Sequence, residues 1–261
     1  MYETIIVEKF DNYKIIYLNR PNVFNAMNMK MIEELITEFE ISKLDKVCYP
    51  IIITGVGDKA FSAGADIDEM RFDIPQDVLE KTKRWVYLFK LIETISQPVI
   101  AAVNGYAPAG GTELSLACDY VITNQKSKFG LAEINIGVMP GAGAIVRITK
   151  WLGRARAKEI LMTGKMISAE QAYEWGLSNE LLEVGYDNVL ERAKEVAQEF
   201  SGKSLRALGA IKKSVNVAEE IPYNTAIDLI MRDFSLLFDT PDQREGMSAF
   251  VEKRKPLFAK N

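Results

Sequence analysis

Pro98-Val-Ile-Ala-Ala-Val-Asn-Gly-Tyr-Ala-Pro-Ala-Gly-Gly-Thr-Glu113 is the stretch on which the fold turns. Pro98 to Val103 is apolar throughout rather than alternating, which marks a strand buried on both faces. Asn104 to Gly111 reads as a glycine-rich loop, and a short helix is expected from about Gly111 to Ala117. Outward from here, Pro50-Ile-Ile-Ile-Thr54 and Tyr120 to Thr123 read as further buried strands. Between them lie stretches of helical period: Met31, Ile32, Leu35, Ile36 and Phe39 fall on one stripe after Asn28, and Val78 to Ile95 is a second helix. Buried strands alternating with helices indicate an α/β protein whose sheet is covered on both faces.

The flanks fill in around that core. Thr4 to Val7 and Lys14 to Leu18 suggest an opening hairpin, and Asp66-Ile-Asp-Glu69 has the pattern of a capping box opening a helix. From Gly143 the pattern turns almost wholly helical, with Ser168 and Gln171 forming another capping box. The expected organisation is a catalytic core over 1–195 and a helical region over 196–261. No period of twenty to fifty residues recurs.

The 261 residues carry 32 Lys plus Arg against 36 Asp plus Glu, a net charge of −4, so nonspecific attraction to phosphate backbones or anionic lipid is disfavoured. There is no histidine. That excludes Ser-His-Asp and Cys-His mechanisms, His-ligated metals and imidazole shuttles, and leaves carboxylates as the first suspects for proton transfer. Cys48 and Cys118 lack CxxC spacing and are expected to be buried thiols in a reducing compartment. The start, MYETIIVEKF, has no signal-peptide pattern. The uncharged run Thr94 to Thr112 contains Pro98, Pro108 and glycines that lipid would not tolerate. A cytoplasmic protein is expected, with no membrane and no nucleic-acid partner.

Two phosphate-loop patterns fail on inspection. Gly202-Lys203-Ser204 has Ala197 where a P-loop needs glycine, and Gly55-Val-Gly57-Asp-Lys-Ala60 is followed by Phe61-Ser-Ala-Gly-Ala65 rather than a helix. No GxSxG elbow occurs. What remains is a pair of glycine turns, Phe61 to Asp66 and Asn104 to Glu113, each leading from a buried strand into a helix. Side by side, their free amides would make an oxyanion hole; apart, they are only tight turns. Glu113 sits among Leu114, Leu116, Ala117 and Cys118, and Glu133 stands alone in the uncharged run Phe129 to Val146. A carboxyl so placed is desolvated and its pKa raised, which suits acid/base work; the alternative is that each merely caps a turn.

Several segments, in order from about residue 3 to 259, closely resemble the crotonase superfamily and specifically its enoyl-CoA hydratases. They are Leu18-Asn-Arg-Pro21, Asn25-Ala-Met27, Ser62-Ala-Gly-Ala-Asp-Ile67, the Pro98 to Glu113 stretch with Cys118-Asp119, Phe129-Gly-x-x-Glu133 with Pro140-Gly-Ala-Gly143, Leu161-Met-Thr-Gly164 with Ile167 to Glu174, and Glu245 to Pro256. The resemblance implies a spiral of ββα units with a C-terminal helical trimerisation region, assembled as a homotrimer or a dimer of trimers. It implies an acyl-CoA thioester substrate, with no metal and no cofactor besides the coenzyme A that the substrate carries. It implies that the amides of Ala65 and Gly110 form the oxyanion hole and that Glu113 and Glu133 are the catalytic pair. It further implies that Ala63, Asp66, Ile67, Gly141, Phe250 and Lys253 contact the ligand, Gly141 helping to hold the water and the last two reaching the nucleotide end, in the same or a neighbouring subunit.

The sequence departs from the family where Asn22 and Asp68 replace common lysines, at Leu131, and at Ala144-Ile-Val146. For Lys253 and Arg254 a solvated helix face is an equal alternative. Phe72, Trp85, Tyr87 and Phe89 are candidates to line an acyl pocket, but their helical spacing favours core or interface packing. The expected activity is reversible hydration of a 2-enoyl-CoA. The rivals are a Δ3,Δ2-enoyl-CoA isomerase or another crotonase lyase, and a non-catalytic or RNA-binding relative.

Overall fold

The computed structural model describes residues 2–45, 49–183 and 186–258. The chain opens with the antiparallel hairpin β1 (Ile5–Lys9) and β2 (Lys14–Leu18), followed by a 3-10 turn at Pro21–Val23 and helix α1 (Met29–Leu44). Asn28 caps α1 by accepting the Met31 N–H, as its position before the apolar stripe predicts. Next come β3 (Ile51–Gly55), the single-turn α2 (Ile67–Met70), the long α3 (Pro75–Thr94), β4 (Val99–Val103), β5 (Tyr106–Pro108) and α4 (Gly110–Leu116). Then follow β6 (Tyr120–Asn124), β7 (Lys128–Gly130), a 3-10 turn at Glu133–Ile136 and α5 (Ala144–Thr163). The chain ends with β8 (Ile167–Ser168), α6 (Ala169–Glu174), β9 (Glu180–Leu182), α7 (Tyr186–Ser201), α8 (Leu205–Ala218), α9 (Tyr223–Leu237) and α10 (Pro241–Val251).

Six strands form one sheet in the order β1-β2-β3-β4-β6-β9, parallel from β2 onward, and β5-β7-β8 form a second. Ala60 bridges to Tyr106, so the residues after β3 approach the second sheet as β5 and β7 do after β4 and β6. The chain therefore climbs as a spiral, each coil laying one strand in each sheet before a helical turn. Side chains alternate across the pleat of the large sheet. Ile16, Ile51, Ile53, Ala101 and Val121 pack on one face with α1, α3 and α4, and Ile15, Ile52, Ile100 and Ile122 on the other with Val189, Ala193, Val196 and Ala197 of α7. Both faces are covered, which is why β3 and β4 are apolar at every position but Thr54 and Gly55.

Three local expectations change. Asp66 makes no side-chain cap to α2; it is drawn instead to Arg20, 2.8 Å away, while Glu69 accepts the Met29 N–H. The region after Gly143 is not wholly helical, because β8 and β9 extend the two sheets. The spiral is a structural repeat that left no period in the sequence. The Ser168 and Gln171 capping box forms in both directions, and α5 breaks at Gly153, φ 73°. Cys118 is buried and unpaired; Cys48 lies outside the described residues. Among the described residues no helix is long and apolar enough to cross a membrane.

Candidate active site

The two glycine turns meet. A Cβ on Gly64 would lie 2.9 Å from the Gly110 nitrogen and 3.1 Å from the Pro108 carbonyl, and one on Gly111 would lie 2.2 Å from the Ser62 carbonyl. Only glycine allows the backbones this close, and Gly64 also needs its φ of +88°. Two buried asparagines fix the strand ends that lead into the turns. Asn25 donates to the carbonyls of Val56 and Ala60, and Asn104 to those of Gly55 and Gly57.

Counting hydrogen bonds along the first turn isolates one amide. Ala63 N–H donates to Phe24 O, Gly64 N–H to Ser62 Oγ, and Asp66 N–H to Met27 O, while Gly64 O accepts from Met27. The parallel bridge between Met27 and Ala65 thus uses the neighbours of Ala65 and turns its own N–H away from the ladder. In the second turn Ala109 N–H donates to Gly130 O and Glu113 N–H to Ala109 O. Gly110, as the first residue of α4, has no intrahelical acceptor. Among the described residues neither Ala65 N–H nor Gly110 N–H donates to a backbone carbonyl. Ala109, at φ 49° and ψ −123°, lies outside the regions an L residue prefers, and this strained corner aims the start of α4. Arg20 secures the other side, donating to Ala26 O at 2.7 Å and to Asp66 at 2.8 Å.

Glu113 is buried on α4, 4% exposed. Its Oε1 accepts the N–H groups of Ala144, at 3.0 Å, and Ala142, at 3.2 Å. Burial raises its pKa; those two amides and the charge of Arg147 oppose the rise without cancelling it. Glu133 opens the 3-10 turn after β7 and is half-buried. Its Oε2 is out of contact with solvent and has no hydrogen-bond partner among the described residues. Burial pushes this carboxyl up to about 7, against the pull of its own backbone N–H, and the neighbouring charge of Glu113 adds to the rise. Two carboxyls with separated environments, one held by amides and one bare, are the arrangement that acid/base chemistry without histidine needs.

The remaining residues fall into two groups. Ala63, Asp66 and Ile67 flank Ala65, with Ile67 exposed, and Gly141 lies in the turn that feeds Glu113, against Thr82 of α3. Phe250 and Lys253 are not brought into this cluster. They are exposed at the end of α10, whose Asp242 bonds Ser204 and whose Glu245 bonds Arg254 and the Leu257 N–H. Asp68, in place of a lysine, is exposed beside Arg71. Trp85 and Phe89 are core residues in edge contact, whereas Phe72 and Tyr87 are exposed. The sequence reading missed the amides of Ala142 and Ala144, and the roles of Asn25, Asn104 and Arg20. Main-chain donors carry no residue signature, but Asn25 and Arg20 stand inside motifs that the family resemblance had already marked.

Residues 11–261 match the family described as enoyl-CoA hydratase/isomerase. The chain is 37% identical over 257 residues to a crotonyl-CoA hydratase of Syntrophomonas wolfei, covering 98% of both. It is 40% identical over 262 residues to a mitochondrial enoyl-CoA hydratase of Pongo abelii, covering 98% of this chain and 88% of that one. In three dimensions it superposes on an enoyl-CoA hydratase of Bacillus anthracis with a TM-score of 0.94 at 32% identity, covering 99% of this chain and all of the other. Spiral, turns and relatives point the same way, and the chain belongs to the enoyl-CoA hydratase/isomerase family.

Proposed function

We propose that this protein is an enoyl-CoA hydratase, adding water reversibly across the C2=C3 bond of a 2-enoyl-CoA thioester. The observation that carries the reading is the meeting of two glycine turns whose Ala65 and Gly110 N–H groups are left without backbone acceptors, next to two desolvated carboxyls. An isolated alkene resists water, but conjugation to a thioester lets electrons pass to the carbonyl oxygen. Fixed amide donors stabilise the charge that develops there without reorganising.

Glu113 takes a proton from water as its oxygen bonds to C3, and the C2=C3 electrons move toward the thioester oxygen to give an enolate held by the Ala65 and Gly110 amides. The protonated Glu133 then delivers its proton to C2 as the carbonyl re-forms. With its pKa pushed up to about 7, Glu133 carries that proton in a substantial fraction of molecules at neutral pH, and its buried Oε2 has no hydrogen-bond partner among the described residues. Run backwards, the same groups dehydrate a 3-hydroxyacyl-CoA. The reading calls for no metal or redox cofactor, since coenzyme A arrives with the substrate.

Ala63, Asp66 and Ile67 would lie along the thioester arm and Gly141 beside the water. Phe250 and Lys253, exposed and remote in the single chain, fit a contact made across subunits. The exposed Ile211, Met231, Phe234 and Leu236 on α8 and α9 support the trimer, or dimer of trimers, that the resemblance implies. A cytoplasmic location completes the reading. Purified protein mixed with crotonyl-CoA should bleach the conjugated thioester absorbance, and Glu133→Gln should nearly abolish that; full activity in the variant would reject the role given to Glu133.

A further inference from the structure

Arg147 lies on α5 just past the turn that holds Glu113, with 15% of its side chain exposed. Its Nε donates to Glu93 on α3 at 2.5 Å, and its Nη1 donates to the Ala142 carbonyl at 3.0 Å. The guanidinium also rests over the Phe89 ring, 5.5 Å from the centroid. Its backbone N–H donates to Gly143 O at 3.1 Å. A Cβ on Gly143 would lie 2.6 Å from Nη1, so the guanidinium is packed directly against the turn. Ala142 therefore accepts from Arg147 at its carbonyl and donates to Glu113 at its nitrogen.

We propose that Arg147, anchored by Glu93, is a positioning residue for hydration: it fixes the 142–144 turn so that one oxygen of Glu113 is held by two amides and the other is left for the water. This rests on reading Glu113 as the base. A carboxylate without that clamp would rotate, and misplacement of a reacting group by about 1 Å can cost about 10²-fold in rate. A lysine at 147 would keep the charge but could not serve Glu93 and the Ala142 carbonyl with a rigid planar fork.

The charge acts separately from the fork. The ionisable groups around Glu113 and Arg147 are Glu93 on α3, Glu133 on the 3-10 turn, Cys118 and Asp119 after α4, and Lys212 on α8. Arg147 favours ionised Glu113, and Glu93 offsets part of that charge. Removing Arg147 therefore moves the acid limb of the pH–rate profile up, and removing the charge of Glu93 moves it down.

The test is kcat, KM and the pH profile of crotonyl-CoA hydration for Arg147→Met, Arg147→Lys, Glu93→Gln and Glu113→Gln. Arg147→Met should lose about 10²-fold in kcat with little change in KM, and its acid limb should move to higher pH. Arg147→Lys should lose kcat with the limb in place, and Glu93→Gln should move the limb downward. Unchanged kcat in both Arg147 variants, or limbs that stay put or all move in one direction, overturns the proposal. Should Arg147→Met not fold, Arg147→Lys and Glu93→Gln decide it: retained kcat in Arg147→Lys, or an unmoved or raised limb in Glu93→Gln, overturns the proposal. Normal hydration by Glu113→Gln would reject the base itself; loss there with unaffected Arg147 variants would reject only the positioning role.

Discussion

The Trp85 indole closes off the Cα of Gly110: a Cβ there would sit 2.8 Å from the ring and 3.2 Å from Gly64 Cα. Trp85 cannot retreat freely, because it is buried and meets Phe89 edge-on at 5.8 Å. Gly110→Ala must therefore push the start of α4 away from the first turn and misdirect its amide. Loss of one such donor costs about 10²–10³ in rate, so kcat for crotonyl-CoA should fall by that order while the circular dichroism spectrum is retained. Activity within a few-fold of wild type would mean that this amide does not face the reacting carbonyl.

Glu133, the proposed acid, links activity to stability. Its folded pKa, near 7, is above that of an unfolded glutamate, so the native state holds the extra proton between those values. By linkage, the contribution is fully present below the unfolded pKa and is lost as pH rises through about 7. Glu133→Gln, which cannot ionise, should be more stable than wild type at pH 8 by about 1–2 kcal/mol after allowance for solvent screening. At pH 4 the two should unfold alike. Urea titrations at both pH values measure this, and equal stabilities at pH 8 would contradict it. The same ionisation predicts that wild-type hydration declines above neutral pH.

A buried ion pair fastens β2 to α1. Lys14 is 3% exposed and donates to Glu38 at 2.6 Å and to Ser42 at 2.8 Å, while the Tyr2 hydroxyl also donates to Glu38. Burial, and then the Glu38 carboxylate, push the Tyr2 hydroxyl up to about 12. Lys14→Met strands a buried carboxylate, a change that costs about 3–5 kcal/mol. Lys14→Met combined with Glu38→Leu should recover most of that loss, because both desolvated charges are then gone. A double variant no more stable in urea than the single one would show that the pair is worth more than its desolvation.

The strands at 51–55, 99–103 and 120–124 were legible because burial on both faces forbids polar alternation. Glu113 was legible because a carboxylate among Leu114, Leu116 and Cys118 breaks the pattern around it. The short strands Ile167–Ser168 and Glu180–Leu182 were not, since two or three residues cannot show a period. The expected cap at Asp66 failed because a charged partner distant in sequence, Arg20, outcompeted the local backbone amides. What holds Glu113 in place was invisible for another reason. The donors are main-chain groups of Ala142 and Ala144, which any residue but proline supplies, brought close only by the climb of the spiral.

On the proposed mechanism, that climb also separates the parts of the reaction by their mutability. The Ala65 and Gly110 amides come from the peptide backbone of the coils that follow β3 and β4, whereas Glu113 and Glu133 are side chains on the coils that follow β4 and β6. A point mutation can exchange a carboxyl for any other group while leaving the main-chain donors where they were. Evolution can thus retain the ability to steady a thioester enolate and redraw, one codon at a time, where protons enter and leave it.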